Sequence, residues 1–225
     1  IWKGFTIDWY VQLFTGQTFA GLNPGVVWSS LWTSIKIATV ATIASVVMGT
    51  LLALGLDRYR FTGQEALQGM IYLPVVIPGV VTGIASLLFF NYFDFSLGVG
   101  TAILSHSMFD ISFVTIMVYA RLQNFDRTLE EAARDLGAGY LETFHRVTLP
   151  LLFPAIVAGG LLAFIFSFEN FVITFFVIGN DNTLPIFFFS MMRQGVTPGV
   201  NVVATLLMVV TMGLVVLAMR YERLY

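Results

Sequence analysis

Residues 121–150 read RLQNFDRTLEEAARDLGAGYLETFHRVTLP, a charged segment between two long apolar stretches of the chain. After Arg146, the next 22 residues carry no charge, and such a run is long enough to cross a bilayer as a helix. Before the segment, Asp110 is the only charge between Asp94 and Arg121. The segment is too polar for a bilayer and too long for a minimal turn, so we expect a structured element between two membrane spans.

The composition of the whole chain excludes several classes of protein. Of its 225 residues, 57% are hydrophobic and only 11% are charged, and the mean hydropathy is +0.85. A soluble domain carries about 25% charged residues, and a disordered chain has low hydrophobicity. The net charge of −2 does not suit a nucleic-acid-binding surface. Because the chain has no cysteine, it cannot form a disulfide framework, a thiolate metal site or a cysteine nucleophile.

The gaps between charged residues predict an all-α polytopic membrane protein. Each gap is an unbroken apolar run without the alternation of a barrel strand, and helices satisfy the backbone inside lipid. Five spans are expected, at residues 27–55, 67–91, 98–120, 150–178 and 199–219.

The basic residues predict the orientation of these spans. Eight of the eleven lie on one side, which is therefore expected to be cytoplasmic. Lys3 and Arg193 lie on the other side, so residues 1–26 and the 179–198 loop are expected to face outward. Because an outward N-terminal segment without a signal peptide needs an earlier span, we expect a sixth helix, the first of the fold, upstream of Ile1.

The cytoplasmic loop 121–149 is expected to hold a helix, a glycine turn and a second short helix. Thr128 and Glu131 have the spacing of a capping box, and Gly137 or Gly139 can end the first helix. The second helical stretch, Tyr140 to Arg146, leads into the next span. The loop therefore presents a small helical element to the cytosol.

This loop resembles a signature of bacterial ABC importer permeases. The triplet Glu131-Ala132-Ala133 is followed after three residues by Gly137 and after nine more by Val147-Thr148-Leu149-Pro150, with valine where the signature has isoleucine. The resemblance implies the type I importer transmembrane fold and a coupling helix that docks on an ATPase subunit. The residues that it assigns to this contact are Arg127, Glu131, Ala132, Ala133, Arg134 and Gly137.

The resemblance extends over most of the chain to the second permease subunit of spermidine/putrescine importers, for example at Tyr59-Arg60-Phe61 and Ser190-Met191. It implies one transmembrane permease domain over residues 1–225, located in the bacterial inner membrane. The implied partners are two ATPase subunits, a second and different permease, and an external solute-binding protein. ATP and Mg would bind to the ATPase subunits, since neither Lys3 nor Lys36 lies in a phosphate-binding Gly-Lys-Ser/Thr motif. No enzyme activity, catalytic residue, metal or cofactor is expected in this chain.

Polar residues at membrane depth indicate the substrate path, because an ionisable group there usually faces the bundle interior or water. Glu169, Asn170 and Asp110 are the candidates. A carboxylate suits a polycation, so polyamines are the leading solute; an amino-acid-like compound or an iron complex is the alternative. Asp110 contacts the substrate, pairs with His106 four residues earlier on the same helical face, or makes a polar contact between helices. Pro74 and Pro78 with Gly79 are expected to break the second span.

Two other classes of membrane protein fit the sequence less well. An ion-coupled secondary transporter is expected to have an internal repeat and charged sites for its coupling ions, and the coupling signature would be unexplained. A membrane enzyme is expected to have a clustered acid, base and nucleophile, whereas His106 and His145 fall at different depths. An importer permease explains the spans, the charge bias and the loop together.

Overall fold

A computed structural model describes residues 6–18, 22–195 and 197–222. Lys3 and part of the predicted outward segment 1–26 lie outside the described residues. The described helices, in chain order, are α1 Asp8–Thr15, α2 Pro24–Arg58, α3 Gln64–Val76, α4 Gly79–Tyr92, α5 Val99–Gln123, α6 Thr128–Asp135, α7 Tyr140–Thr143, α8 Leu149–Glu169, α9 Val172–Val177, α10 Leu184–Gln194 and α11 Pro198–Glu222. A π-helical turn, Phe144–Thr148, joins α7 to α8 without interruption.

Helices α2, α5 and α8 pack on one another at small residues. A Cβ atom added to Gly49 of α2 would lie 2.8 Å from Cβ of Val114 in α5. One added to Gly159 of α8 would lie 3.2 Å from Cα of the same valine. Small residues let helices approach closely where lipid offers no hydrophobic driving force between them. This three-helix packing connects the middle of the protein to the end that is predicted to be cytoplasmic.

The all-helical multi-pass fold is confirmed. Helices α2 and α5 match the predicted spans 27–55 and 98–120. Together with the continuous run Tyr140–Glu169, they are the three helices of the described chain that are long and apolar enough to cross a membrane. The pair α3 and α4 makes a fourth if it is counted as one span. Helix α11 lies at the fifth predicted position, and its described apolar part extends to Gly213.

The predicted break in the second span is also confirmed. Helix α3 ends at Val76, α4 begins at Gly79, and the two axes differ by 109°. Pro78 lies immediately before α4, where its lack of an N–H group is tolerated. The break is therefore a sharp turn rather than a gentle kink.

The predicted fourth span, residues 150–178, is present but ends earlier than expected. Helix α8 ends at Glu169, and the shorter α9 begins at Val172. Oδ1 of Asn170 accepts a hydrogen bond from the backbone N–H of Ile173 at 3.0 Å. An asparagine side chain can replace a helical backbone acceptor in this way, which favours a local end to the helix.

Short helices cover the end of the bundle that is predicted to face outward. Tyr10 of α1 shares a hydrogen bond with Thr205 of α11, with 3.1 Å between the two hydroxyl oxygens. The predicted outer loop 179–198 contains α10, and the backbone N–H of Leu184 donates to Oγ of Ser34 at 2.9 Å. These contacts connect the outer helices to α2 and α11.

Candidate functional site

The two helix breaks lie close together because α4 packs on α9. A Cβ atom on Gly79 would lie 3.7 Å from Cγ1 of Val172. On Gly83 it would lie 2.6 Å from Cδ2 of Phe176 and 3.3 Å from Cα of Ile173, so this packing requires glycine. Two interrupted helices therefore meet within the membrane-spanning part of the fold.

A cavity of about 470 Å³ opens where the breaks meet, and we refer to it as the break cavity. The residues that line it come from the two breaks and from the middle of α5: Pro74, Val75, Ile77, Gly79, Phe109, Phe113, Phe166, Glu169, Asn170, Phe171, Val172 and Ile173. The ring centroid of Phe113 lies 5.1 Å from that of Phe109 and 4.7 Å from that of Phe166. Most of the lining is therefore apolar or aromatic.

Glu169 supplies a carboxylate at the edge of these rings. It is the last residue of α8, it is exposed, and its Oε1 accepts a hydrogen bond from the hydroxyl of Thr211 in α11 at 2.7 Å. Aromatic faces attract cations, and a desolvated ammonium group needs a carboxylate partner. The break cavity thus has the chemistry to accept an organic cation with an apolar chain.

Asn170 lies in the same cavity but has a structural task as well. Its side chain accepts from the N–H of Ile173, and its carbonyl oxygen accepts from the hydroxyl of Thr174. These two bonds hold α9 against the end of α8. Glu169 and Asn170 therefore lie together, as the sequence predicts, with the amide used to close the helix break.

His106 of α5 connects the two sides of this break. Its Nδ1 lies 2.7 Å from Oγ of Ser167 in α8, and its Nε2 lies 2.9 Å from Oγ1 of Thr174 in α9. The imidazole and both hydroxyl-bearing residues are buried. Because the two ring nitrogens are used in this way, the alternative in which His106 pairs with Asp110 is wrong. The apolar spans give no sequence signal for this connection, since it depends on how three helices pack.

Asp110 is fully buried, and neither of its carboxylate oxygens has a hydrogen-bond partner among the described residues. It lies on α5, outside the lining of the break cavity. The structure therefore does not bring Asp110 together with Glu169. Its contact with substrate stays a prediction.

The second candidate region is the predicted coupling helix, α6. Oδ1 of Asp126 accepts hydrogen bonds from the backbone N–H and the hydroxyl of Thr128, at 3.0 Å and 2.8 Å. These bonds lower the pKa of the Asp126 carboxyl. The predicted capping box is therefore wrong: Thr128 is the first residue of the helix rather than its N-cap, and its hydroxyl donates to Asp126.

Gly137 forms the turn that ends α6. Its φ angle is +94°, a region that favours glycine, whereas Gly139 has a φ of −71°. The N–H of Gly137 donates to the carbonyl of Arg134 at 2.8 Å, and the N–H of Ala138 donates to that of Ala133 at 3.1 Å. Of the two predicted turn glycines, Gly137 is the one that the backbone requires.

The side of α6 that carries the signature is open to a partner. Glu131 and Ala132 are exposed, and Ala133 is half-buried. Leu136 and Tyr140 are 90% and 79% exposed, and large apolar groups left in contact with water often mark an interaction site. Arg134 stacks on Tyr140, with its guanidinium carbon 4.7 Å from the ring centroid. We call this exposed face, with Leu141, the coupling surface.

A second side of α6 is held by Glu130, which no sequence motif marks. Glu130 is only 4% exposed. Its Oε2 accepts from Nη1 of Arg58 at 2.6 Å, and its Oε1 accepts from Nη2 of Arg58 and from the hydroxyl of Thr148. The hydrogen bonds from Arg58 and Thr148 hold the pKa of the Glu130 carboxyl below its ordinary value. The signature selects Glu131, and the local sequence does not show that the neighbouring Glu130 is the buried one.

Arg127 makes a second connection on this side. Its Nη2 lies 3.1 Å from Oδ2 of Asp57 and 3.3 Å from the Asp57 carbonyl oxygen. Asp57 and Arg58 are the last two residues of α2. Arg127, predicted to contact the ATPase, is therefore paired within this chain. We call the group Glu130, Arg58, Thr148, Arg127 and Asp57 the Glu130 cluster.

Comparison with protein families gives a match to the binding-protein-dependent transport system inner membrane component over residues 19–221. The chain is 36% identical to the spermidine/putrescine transport system permease protein PotC of Haemophilus influenzae, over 99% of this chain and 84% of that protein. It is 38% identical to the putrescine transport system permease protein PotI of Escherichia coli K12, over 92% of this chain and 74% of the relative.

Comparison with solved structures gives the same fold. An amino acid ABC transporter solved with histidines matches with a TM-score of 0.72 and 17% identity, over 98% of this chain and 100% of that one. A bacterial ABC transporter involved in the import of the acidic polysaccharide alginate matches with a TM-score of 0.73, also at 17% identity, over 98% and 84% of the two chains. At this level of identity the likeness concerns the fold alone.

Proposed function

Since the chain belongs to the family of binding-protein-dependent transport system inner membrane components, and is an ABC importer permease of the PotC type, we propose that it carries polyamines such as spermidine and putrescine. The named relatives support this solute class. The observation in this chain that carries the proposal is the carboxylate of Glu169 in an aromatic-lined cavity at two helix breaks. A polyamine has ammonium groups for the carboxylate and methylene chains for the rings.

The position of the cavity supports a role in alternating access. Transporters bind substrate near the middle of the membrane at interrupted helices, whose ends can move as access changes. In the proposed cycle, the breaks at Pro78 and Asn170 open the path first outward and then inward. The coupling surface would receive the movement of the ATPase subunits, which bind ATP and Mg. Glu131, Ala132, Ala133, Arg134 and Gly137 belong to this part of the proposal.

The proposed complex contains two ATPase subunits, a second and different permease, and an external solute-binding protein. Its proposed location is the bacterial inner membrane. In such a complex, the exposed carboxylate of Glu169 would lie on the path that the two permeases share.

Uptake by the complete complex in proteoliposomes tests the solute assignment. ATP-dependent uptake of labelled spermidine and putrescine is compared with that of a neutral sugar and an anionic solute. The expected result is uptake of polyamines alone. Glu169→Gln should lower polyamine uptake about tenfold, because a hydrogen bond to a charged group is worth about 1.5–3 kcal/mol.

Glu65→Gln is the matched control, since Glu65 is an exposed glutamate in the first turn of α3, remote from the cavity lining. It should leave uptake close to that of the unchanged protein. Equal uptake by the Glu169 and Glu65 variants would remove Glu169 from the path. Transport of a different solute would overturn the polyamine assignment and leave the importer family intact.

A further inference from the structure

Glu130 joins three parts of the chain that are far apart in sequence. It lies on the coupling helix α6, it binds Arg58 at the end of α2, and it binds Thr148 at the end of the π-helical turn that leads into α8. The ion pair between Arg127 and Asp57 joins α6 to α2 a second time. The helix that carries the coupling signature is therefore attached to two helices of the central bundle by charged contacts.

The geometry of the contact restricts direction as well as distance. Arg58 donates through both terminal nitrogens to the two oxygens of Glu130. A paired arginine and carboxylate of this kind holds the two planes in one relative orientation, which a single hydrogen bond does not do. Removing Arg58 would leave the buried carboxylate of Glu130 without its charged partner, and that is strongly unfavourable.

The two neighbouring glutamates of α6 lie in different environments. Glu131 is exposed on the coupling surface, whereas Glu130 is buried against the bundle. We propose that Glu130 is the positioning residue that makes the coupling helix move as one body with α2 and α8. This inference rests on the proposed coupling role of α6. It assigns to Glu130 the transfer of movement into the bundle, not contact with the ATPase.

Two open positions allow this rigidity to be measured directly. The chain contains no cysteine, so Arg60→Cys and Gly139→Cys can carry one spin label each. Arg60 is exposed just after α2, and a Cβ on Gly139 would meet nothing within 4 Å. The labels report the distance between the end of α2 and the loop after α6. The assembled importer in nanodiscs is measured with and without ATP.

With Glu130 present, the distance distribution should be narrow and should keep its width when ATP is added. Glu130→Gln should widen it and should lower the ratio of spermidine taken up to ATP hydrolysed about tenfold, as loss of a buried charged contact predicts. Glu142→Gln is the control, because it removes an exposed ion pair with Arg146, at 3.2 Å, on the same loop. It should change neither quantity.

Thr148→Val keeps the proposal testable if Glu130→Gln does not assemble. It removes one hydrogen bond to Glu130 and nearly preserves the shape of the side chain, so a smaller widening is expected. A narrow distribution in both variants, or a wide one in the unchanged protein, would overturn the proposal. The distance measurement uses ATP and no solute, so it remains decisive even if the polyamine assignment fails.

Discussion

The break cavity and the Glu130 cluster are held together in opposite ways. At the break cavity two helices are interrupted, the lining is largely aromatic, and close packing depends on Gly83. At the Glu130 cluster the charged groups are paired, and α7, the π-helical turn and α8 continue without a break. Interrupted helices can change their relative angle at small cost, whereas a partly buried bidentate ion pair resists reorientation.

Helix α8 connects the two regions. It runs from Leu149, next to the Glu130 cluster, to Glu169 in the break cavity. Its 21 residues span roughly 30 Å at 1.5 Å per residue. The difference between the regions fits the proposed cycle, in which the end with the Glu130 cluster would transfer movement as a rigid unit and the helices would bend at the cavity.

The largest expected effect comes from disturbing the rigid end at Gly137. Gly137→Val places a β-branched residue at a φ of +94°, which costs such a residue at least about 1–2 kcal/mol. The end of α6 should change conformation and the coupling surface should lose its shape. We expect ATP-driven spermidine uptake in proteoliposomes to fall at least about tenfold, with normal insertion into the membrane.

Gly139→Val separates backbone strain from added bulk. No atom lies within 4 Å of a Cβ at either glycine, but Gly139 has an ordinary φ of −71°. Uptake should therefore change little in the control. An equal loss of uptake in both variants would mean that the added side-chain bulk causes the loss, rather than strain at the left-handed φ of Gly137.

A smaller effect is expected from removing the hydrogen bonds of His106 at the break cavity. This histidine is bonded on both sides of the α8–α9 break, to Ser167 and Thr174. His106→Phe replaces the imidazole with a somewhat larger apolar ring and removes both hydrogen bonds, each worth about 1 kcal/mol. The apparent melting temperature of the purified complex should fall by roughly 5 °C, and uptake should fall less than in Gly137→Val.

The other histidine provides the control for this change. His145 is exposed, and its Nδ1 lies 2.9 Å from the carbonyl oxygen of Leu141. His145→Phe should leave the melting temperature nearly unchanged. If His106→Phe also melted like the unchanged protein, the break would be held by packing alone, and the contrast between the two regions would become sharper.

The region of α6 was the more predictable of the two because its signal is local. The spacing from Glu131 to Pro150 identified the family, and Gly137 was among the residues expected to turn the chain. The burial of Glu130 could not be predicted, because it depends on Arg58, which lies 72 positions earlier in the chain.

The break cavity was predictable only in part. Pro74 and Pro78 predict the first break, since proline cannot donate a backbone hydrogen bond inside a helix. The second break depends on Asn170, whose residue type marks it as a polar path candidate but does not indicate that a helix ends there. Two further facts needed the structure: both breaks face each other, and His106 bonds across one of them instead of pairing with Asp110.

The smallest expected effect is that of pH on the rigid end. The bonds from Arg58, then Thr148, lower the pKa of Glu130 from its ordinary 4.5, and Arg134 also faces this carboxylate. A carboxyl with a lowered pKa stabilises the fold above its unfolded pKa and loses that contribution as pH falls through the folded value. The 60–139 label distance should therefore stay narrow from about pH 8 to about pH 5.5. Widening that begins already at about pH 6.5 would show that Glu130 is not held as a carboxylate.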